Sequence, residues 1–168
     1  MKILVTESQY NKLFKEEKEQ KVLRIPGLNF FHENHWEAWQ ILQKVLERRG
    51  NPPYTIDGYL DLYNTPIQSL GNLESVGEDL WLKNTPIKSL GNLISVGGDL
   101  DLYGTPIESL GNLTSVSGYL DLEGTPIESL GNLQTVGGDL DLTQTPLSKM
   151  YTREQIREMV DVGGKIYM

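Results

Sequence analysis

The chain has no cysteine, which removes disulfide staples, thiolate metal sites and a cysteine nucleophile together. No apolar run approaches the roughly 18 residues of a membrane span. The opening MKILVTESQ has one lysine and three consecutive apolar residues before Thr6, short of a signal-peptide core. These absences suit a soluble, cytoplasmic protein. Recognised catalytic signatures are missing too: no G-x-S-x-G elbow, no phosphate loop and no dinucleotide fingerprint. No enzyme and no cofactor is expected. Only two histidines occur, His32 and His35, with Glu33 between them. That spacing is not H-E-x-x-H and no third histidine completes a metal site, so the pair reads as polar or capping residues at a helix start.

Positive charge is scarce in one place only. Residues 1–58 hold nine Lys/Arg against eight acids, and residues 149–168 hold four against three. Residues 59–148 hold two lysines, Lys83 and Lys88, against twelve acids. The middle segment therefore carries -10 and each flank +1, so all the excess negative charge behind the net -8 lies in the middle. Such a surface repels nucleic acid and attracts a basic partner.

That middle segment repeats every 20 residues without a slip, from YLDLYNTPIQSLGNLESVGE through four full units to a truncated DLDLTQTPLSKM. Six apolar columns recur, for example Leu100, Leu102, Ile107, Leu110, Leu113 and Val116. A fixed short period means coils stacked into a solenoid, each burying its apolar edge on the next. The alternating LDL predicts one short strand per coil, leucines inward, followed by turns at TPI and SLGNL. The recurring Thr65, Thr85, Thr105, Thr125 and Thr145, with Asn72, Asn92, Asn112 and Asn132, are expected to point inward and bond neighbouring coils.

Flanking segments are expected to cover the solenoid ends. Thr6 and Gln9 form a capping-box pattern ahead of a charged helix. Asn34 caps a second helix running through Arg49 to Gly50, whose Trp36, Trp39, Leu42, Val45 and Leu46 make an apolar face. Thr152 and Gln155 repeat the capping box ahead of an Ile156, Met159, Val160 stripe. The tail GGKIYM either adds a strand or stays loose. The organisation expected is a helical cap over 1–58, a solenoid over 59–148, and a helical cap with tail over 149–168.

From LWLKNTPI, with Leu80, Leu82, Thr85 and Ile87, the repeat resembles the leucine-rich-repeat pattern L-x-x-L-x-L-x-x-N-x-L. It departs in two places: Thr stands for Asn, and Gly77, Gly97, Ser117 and Gly137 fall on the first leucine. The unit length is similar to the shortest bacterial class of these repeats, and LTSVSGYLDL is similar to receptor L domains. With ERRGNPPY ahead of the first unit, the arrangement also resembles small leucine-rich-repeat proteins encoded by tailed phages. The resemblance implies a parallel β-sheet whose outward strand positions line a concave binding face. Some bacterial effectors of similar repeat carry a cysteine-dependent ubiquitin ligase, and nothing here corresponds to it.

On that face the repeat places three columns. The first is Tyr59, Asp79, Asp99, Tyr119 and Asp139. The second is Asp61, Trp81, Asp101, Asp121 and Asp141. The third is Tyr63, Lys83, Tyr103, Glu123 and Thr143. Like charges stacked across strands destabilise a sheet, so the acids invite a function. Tyr63, Asp79, Trp81, Asp99, Asp101, Tyr103, Tyr119, Asp121, Asp139 and Asp141 are the expected partner-binding set, in a non-catalytic module that recognises a basic protein. Other readings stay open: a structural protein that self-associates through its ends, a binder of a small cationic ligand or of calcium between Asp99, Asp101 and Asp121, and an acidic decoy for a nucleic-acid-binding protein. The stripes would equally serve solubility, block sheet-edge stacking, or be copied by repeat duplication.

Overall fold

The computed structural model describes residues 22–28 and 34–168. Both the helix expected from Thr6 and the residue His32 lie outside them.

Each 20-residue coil carries two strands rather than one. In a typical coil these are β6 (Ser95–Val96) and β7 (Leu100–Asp101). The expectation of a single strand fails because the SV pair also runs extended and pairs with its copies. Ser95 lies beside Ser115, and Val96 beside Val116. The result is a β-solenoid of two parallel sheets. The first contains β1 (Leu23–Ile25), β2 (Tyr54–Ile56), β4 (Leu73–Val76), β6, β8 (Ser115–Val116), β10 (Thr135–Val136) and β12 (Asp161–Val162), in that spatial order. The second runs β3 (Leu60–Asp61), β5 (Leu80–Trp81), β7, β9 (Leu120–Asp121), β11 (Leu140–Asp141) and β13 (Ile166–Tyr167). Register is kept to the residue: Leu80 beside Leu100, Leu100 beside Leu120, and Leu120 beside Leu140.

The six apolar columns fill the space between the sheets. Leu100, Leu102, Ile107, Leu110, Leu113 and Val116 are each at most 1% exposed. Stacking identical coils puts like against like, so every coil supplies the same filling to its neighbour.

The turn after the second strand depends on a left-handed residue. Asn64, Asn84, Gly104, Gly124 and Gln144 have φ between 55° and 70°, a region favouring Gly and Asn. The threonine that follows is buried at Thr85, Thr105, Thr125 and Thr145. Its Oγ1 donates to the carbonyl three residues earlier in its own coil, at 2.7–2.8 Å. Thr thus closes its own turn and does not bridge coils, as the sequence suggested it would. The asparagines differ as well. Asn92, Asn112 and Asn132 are exposed, because the leucines on either side, such as Leu90 and Leu93, take the interior. Some still tie coils together from outside: Asn92 Nδ2 donates to Asn72 Oδ1 at 3.0 Å, and Asn72 Nδ2 to the Asn51 carbonyl at 2.6 Å.

Helix α1 (His35–Arg48) starts at Asn34, whose Oδ1 accepts from the N–H of Trp36 and of Glu37. Trp39, Leu42 and Leu46 are buried in the same core as the coil leucines, with the Trp39 ring 6.4 Å from that of Tyr54. Beyond β11 come α2 (Leu147–Met150) and α3 (Arg153–Met159). Thr152 and Gln155 form the expected reciprocal capping box. Ile156 and Val160 are buried, whereas Met159 is 49% exposed. Met159 drops out of the expected stripe because the helix ends there and the extended Val160 enters the core instead. The tail ends as strand β13.

Candidate functional site

The outward face of the second sheet brings the second column together in register. Asp61 lies beside Trp81, Trp81 beside Asp101, Asp101 beside Asp121, and Asp121 beside Asp141. Neighbouring strands lie about 4.8 Å apart, so these carboxylates are close enough to repel.

Most of the aspartates also hold the backbone. In the second column Asp61, Asp101, Asp121 and Asp141 each accept, through Oδ1, the N–H two residues on, at 2.8–3.0 Å. This Asx-turn leads the chain into the left-handed residue that follows. Trp81 has no such acceptor, and its coil makes the same turn through Asn84 without it.

The first column works across coils. Asp79 Oδ1 accepts the Asp99 N–H at 2.8 Å, Asp99 Oδ1 the Tyr119 N–H at 2.7 Å, and Asp139 Oδ1 the Lys165 N–H at 2.7 Å. To reach it, each carboxylate lies over the residue just before that N–H: Gly98, Gly118 and Gly164 respectively. There it fills the place a Cβ would take. Where the column holds Tyr59, the residue 19 further on is Glu78.

The carboxylates differ in what they have left to offer. Tyr119 Oη donates to Asp141 Oδ2 at 3.3 Å, and Tyr167 Oη to Asp139 Oδ2 at 3.2 Å. Asp139 and Asp141 are therefore held by phenols. Burial, reinforced by the carboxylates of Asp121 and Asp141, raises the Tyr119 phenol above its ordinary value. Asp121 is half-buried, and its carboxyl is pushed up to about 6. Desolvation is the main cause, with the charges of Asp101, Asp141 and Glu123 adding to it, against the Glu123 N–H. Carboxylate oxygens of Asp121, Glu123 and Asp141 lie within 4.8 Å of one another. Among the described residues this is the acid set the structure gathers, and not the Asp99, Asp101 and Asp121 of the alternative calcium reading. Three carboxylates suit a hard divalent cation chemically.

A cluster of rings, His35, Tyr59 and Trp81, lies at the other end of the face. His35, at the start of α1, stacks on Tyr59 with ring centres 4.8 Å apart, and Tyr59 meets Trp81 at 5.6 Å. His35 Nδ1 also accepts the Asp61 N–H at 3.1 Å. Tyr59 and Tyr63 remain 41% and 48% exposed. Lys83 spreads over the Tyr103 ring, 4.3 Å from its centre. Between α1 and β3 lies a cleft of about 400 Å³, lined among others by Trp36, Tyr59, Asp61 and Tyr63. Sequence reasoning placed His35 at a helix start but missed its position against the sheet. The Asx-turns were legible in principle, since Asp two residues before a turn is their signature.

Ion pairs between described residues, Arg24 with Asp57 and Lys88 with Glu108, involve none of these aspartates. No helix among the described residues is long and apolar enough to cross a membrane. Comparisons with protein-family models, with known proteins and with solved structures give no match.

Proposed function

We propose that this chain is a non-catalytic interaction module of the leucine-rich-repeat type, with α1 and α3 as end caps, that binds a basic protein segment across the second sheet. One observation carries the reading. Asp101 and Asp121 stack in register, and each has spent only Oδ1 on its own turn. The Asp121 carboxyl is pushed up to about 6, chiefly by desolvation and further by the charges of Asp101, Asp141 and Glu123, and a cationic side chain would favour its charged form. Asp79 and Asp99 extend the acidic surface. Asp139 and Asp141 contribute charge from oxygens already shared with phenols. Trp81, Tyr59 and Tyr63 supply contact area at one end, as aromatic anchors do at interfaces. The resemblance to small phage-encoded repeat proteins favours a cytoplasmic setting and a host or phage protein as partner.

The test is affinity capture from a cell lysate at low and high salt. Wild type is compared with Trp81→Ala/Asp101→Asn/Asp121→Asn, because Asn keeps the Oδ1 acceptor that the turns need. A protein held by wild type, lost with the variant and weakened by salt supports the proposal. If both forms retain the same proteins, the aspartates serve the turns and the binding reading falls.

The convergence of Asp121, Glu123 and Asp141 favours one second reading, a divalent cation bound at the same face. A clear rise in Tm on adding calcium, absent from Glu123→Gln, would put the cation before the protein partner.

A further inference from the structure

A stack of parallel coils ends in strands whose outer N–H and C=O groups have no partner, and such edges recruit other strands. In a parallel pair, alternate residues turn their backbone groups toward the neighbour and away from it. At the C-terminal end, Leu140 and Leu142 donate to the carbonyls of Lys165 and Tyr167, so the backbone N–H and C=O of Ile166 between them point away from the sheet. In the first sheet, Asp161 and Gly163 donate back to Gln134 and Val136, so the backbone N–H and C=O of Val162 point away from the sheet.

Both outward carbonyls are occupied by arginine. Arg153 Nε donates to the Ile166 carbonyl at 2.9 Å. Arg157 donates through one terminal nitrogen to the Val162 carbonyl and through the other to the Gly164 carbonyl, both at 2.6 Å. The two arginines are four residues apart on α3, hence on one side of it. One short helix, fixed by its Thr152–Gln155 capping box and by buried Ile156, thereby reaches the last strand of each sheet and the turn joining them. The opposite end of the second sheet follows the same logic. Leu60 and Leu62 donate to the carbonyls of Asp79 and Trp81, so the Asp61 N–H faces outward, and it is met by His35 Nδ1.

We propose that Arg153 and Arg157 seal the C-terminal end of the solenoid, and that without them this end pairs with a second copy of the chain. The proposal deepens the reading of α3 as a cap and is independent of the partner-binding face. The chemistry favours arginine for the task. The forked guanidinium of Arg157 serves two carbonyls at once, which a lysine ammonium cannot do with the same geometry. Two edges meeting end to end would give an isologous contact, strand β13 against β13 and β12 against β12.

The experiment is sedimentation velocity on the full chain across a wide concentration range, with circular dichroism to verify folding. Wild type is expected to remain at the 19.0 kDa chain mass. The folded Arg153→Ala/Arg157→Ala form is expected to rise with concentration to at least twice that mass. Hydrogen exchange at the Val162 and Ile166 amides should slow in step with association. A folded double variant that stays monomeric overturns the seal, and if its Tm is also unchanged the cap reading of α3 falls with it. A wild type that already associates with protection of these two amides overturns the seal as well. Should the alanine pair fail to fold, Arg153→Met/Arg157→Met, which keeps the apolar stems and has no donor, is judged by the same criteria.

Discussion

Asp99 and Tyr119 are joined from one coil to the next: Asp99 Oδ1 accepts the Tyr119 backbone N–H at 2.7 Å. The first acidic column is thus a set of inter-coil ties before it is anything else. Asp99→Ala should lower unfolding stability by about 1–2 kcal/mol, the range for losing a charge-assisted bond at an exposed site. Asp99→Asn keeps the acceptor oxygen and should cost less than about 0.5 kcal/mol. Urea denaturation of both decides. Equal losses would mean that the charge matters and the tie does not.

The same tie dictates where glycine is required. A Cβ at Gly118 would occupy the place of the Asp99 carboxylate, whereas Gly138 follows Tyr119 by 19 residues and meets only backbone, no nearer than 2.8 Å. A Cβ at either position meets neighbouring backbone at under 3.0 Å, so each alanine should cost about 1–3 kcal/mol through overpacking, and Gly118→Ala more than Gly138→Ala because it also displaces the Asp99 carboxylate from its tie to Tyr119. Glu78, 19 residues after Tyr59, already shows a side chain tolerated where no aspartate precedes it. Comparing the two alanine variants by thermal denaturation tests this, and an equal drop in Tm would refute it.

Period and leucine columns were enough to read a solenoid, because only stacked coils can bury Leu100, Leu102 and Ile107 against their own copies. The second strand was hidden. A two-residue SV segment is too short to show alternation, and only the pairing of Ser95 with Ser115 reveals it. Asparagine misled for a different reason. Asn92 recurs as strictly as Leu90, and recurrence alone does not separate a side chain that packs inward from one that ties coils from outside. The acidic columns were legible as surface positions. Of their backbone bonds, the Asp101 turn carries an Asx signature, whereas the Asp99 bond to the next coil leaves no mark in the repeat.

Gln144 stands at φ 60° where the two preceding coils have Gly104 and Gly124. The left-handed region costs a residue with a Cβ about 1–2 kcal/mol, and Gly escapes this while losing more entropy on folding. Gln144→Gly should then stabilise the chain by about 0.5–1 kcal/mol. Against it stands only the long 3.5 Å bond from Gln144 Nε2 to Glu123. Denaturant midpoints would show the gain, and a loss would mean that this contact holds the last coil together.

Asp121 makes stability depend on pH in a stated direction. Its carboxyl sits at about 6 in the folded chain, against an ordinary 3.8, so the folded state binds the proton more tightly than the unfolded one. Linkage then requires stability to fall as pH rises from about 4 to 6 and to stay level above, as far as this group is concerned. Asp121→Asn removes the ionisation but keeps an Oδ1 acceptor for the Glu123 N–H. Because the group is only half-buried, the full shift is not realised as stability. The variant should gain no more than about 1 kcal/mol at pH 7, and nothing at pH 4. Urea denaturation of both forms at the two pH values measures the difference directly. A gain of the same size at pH 4 would show that the effect is packing and not charge. No gain at pH 7 would show that Asp121 is hydrated well enough to carry its charge at no cost beside Asp101 and Asp141, removing the unfavourable charge that a basic partner would relieve.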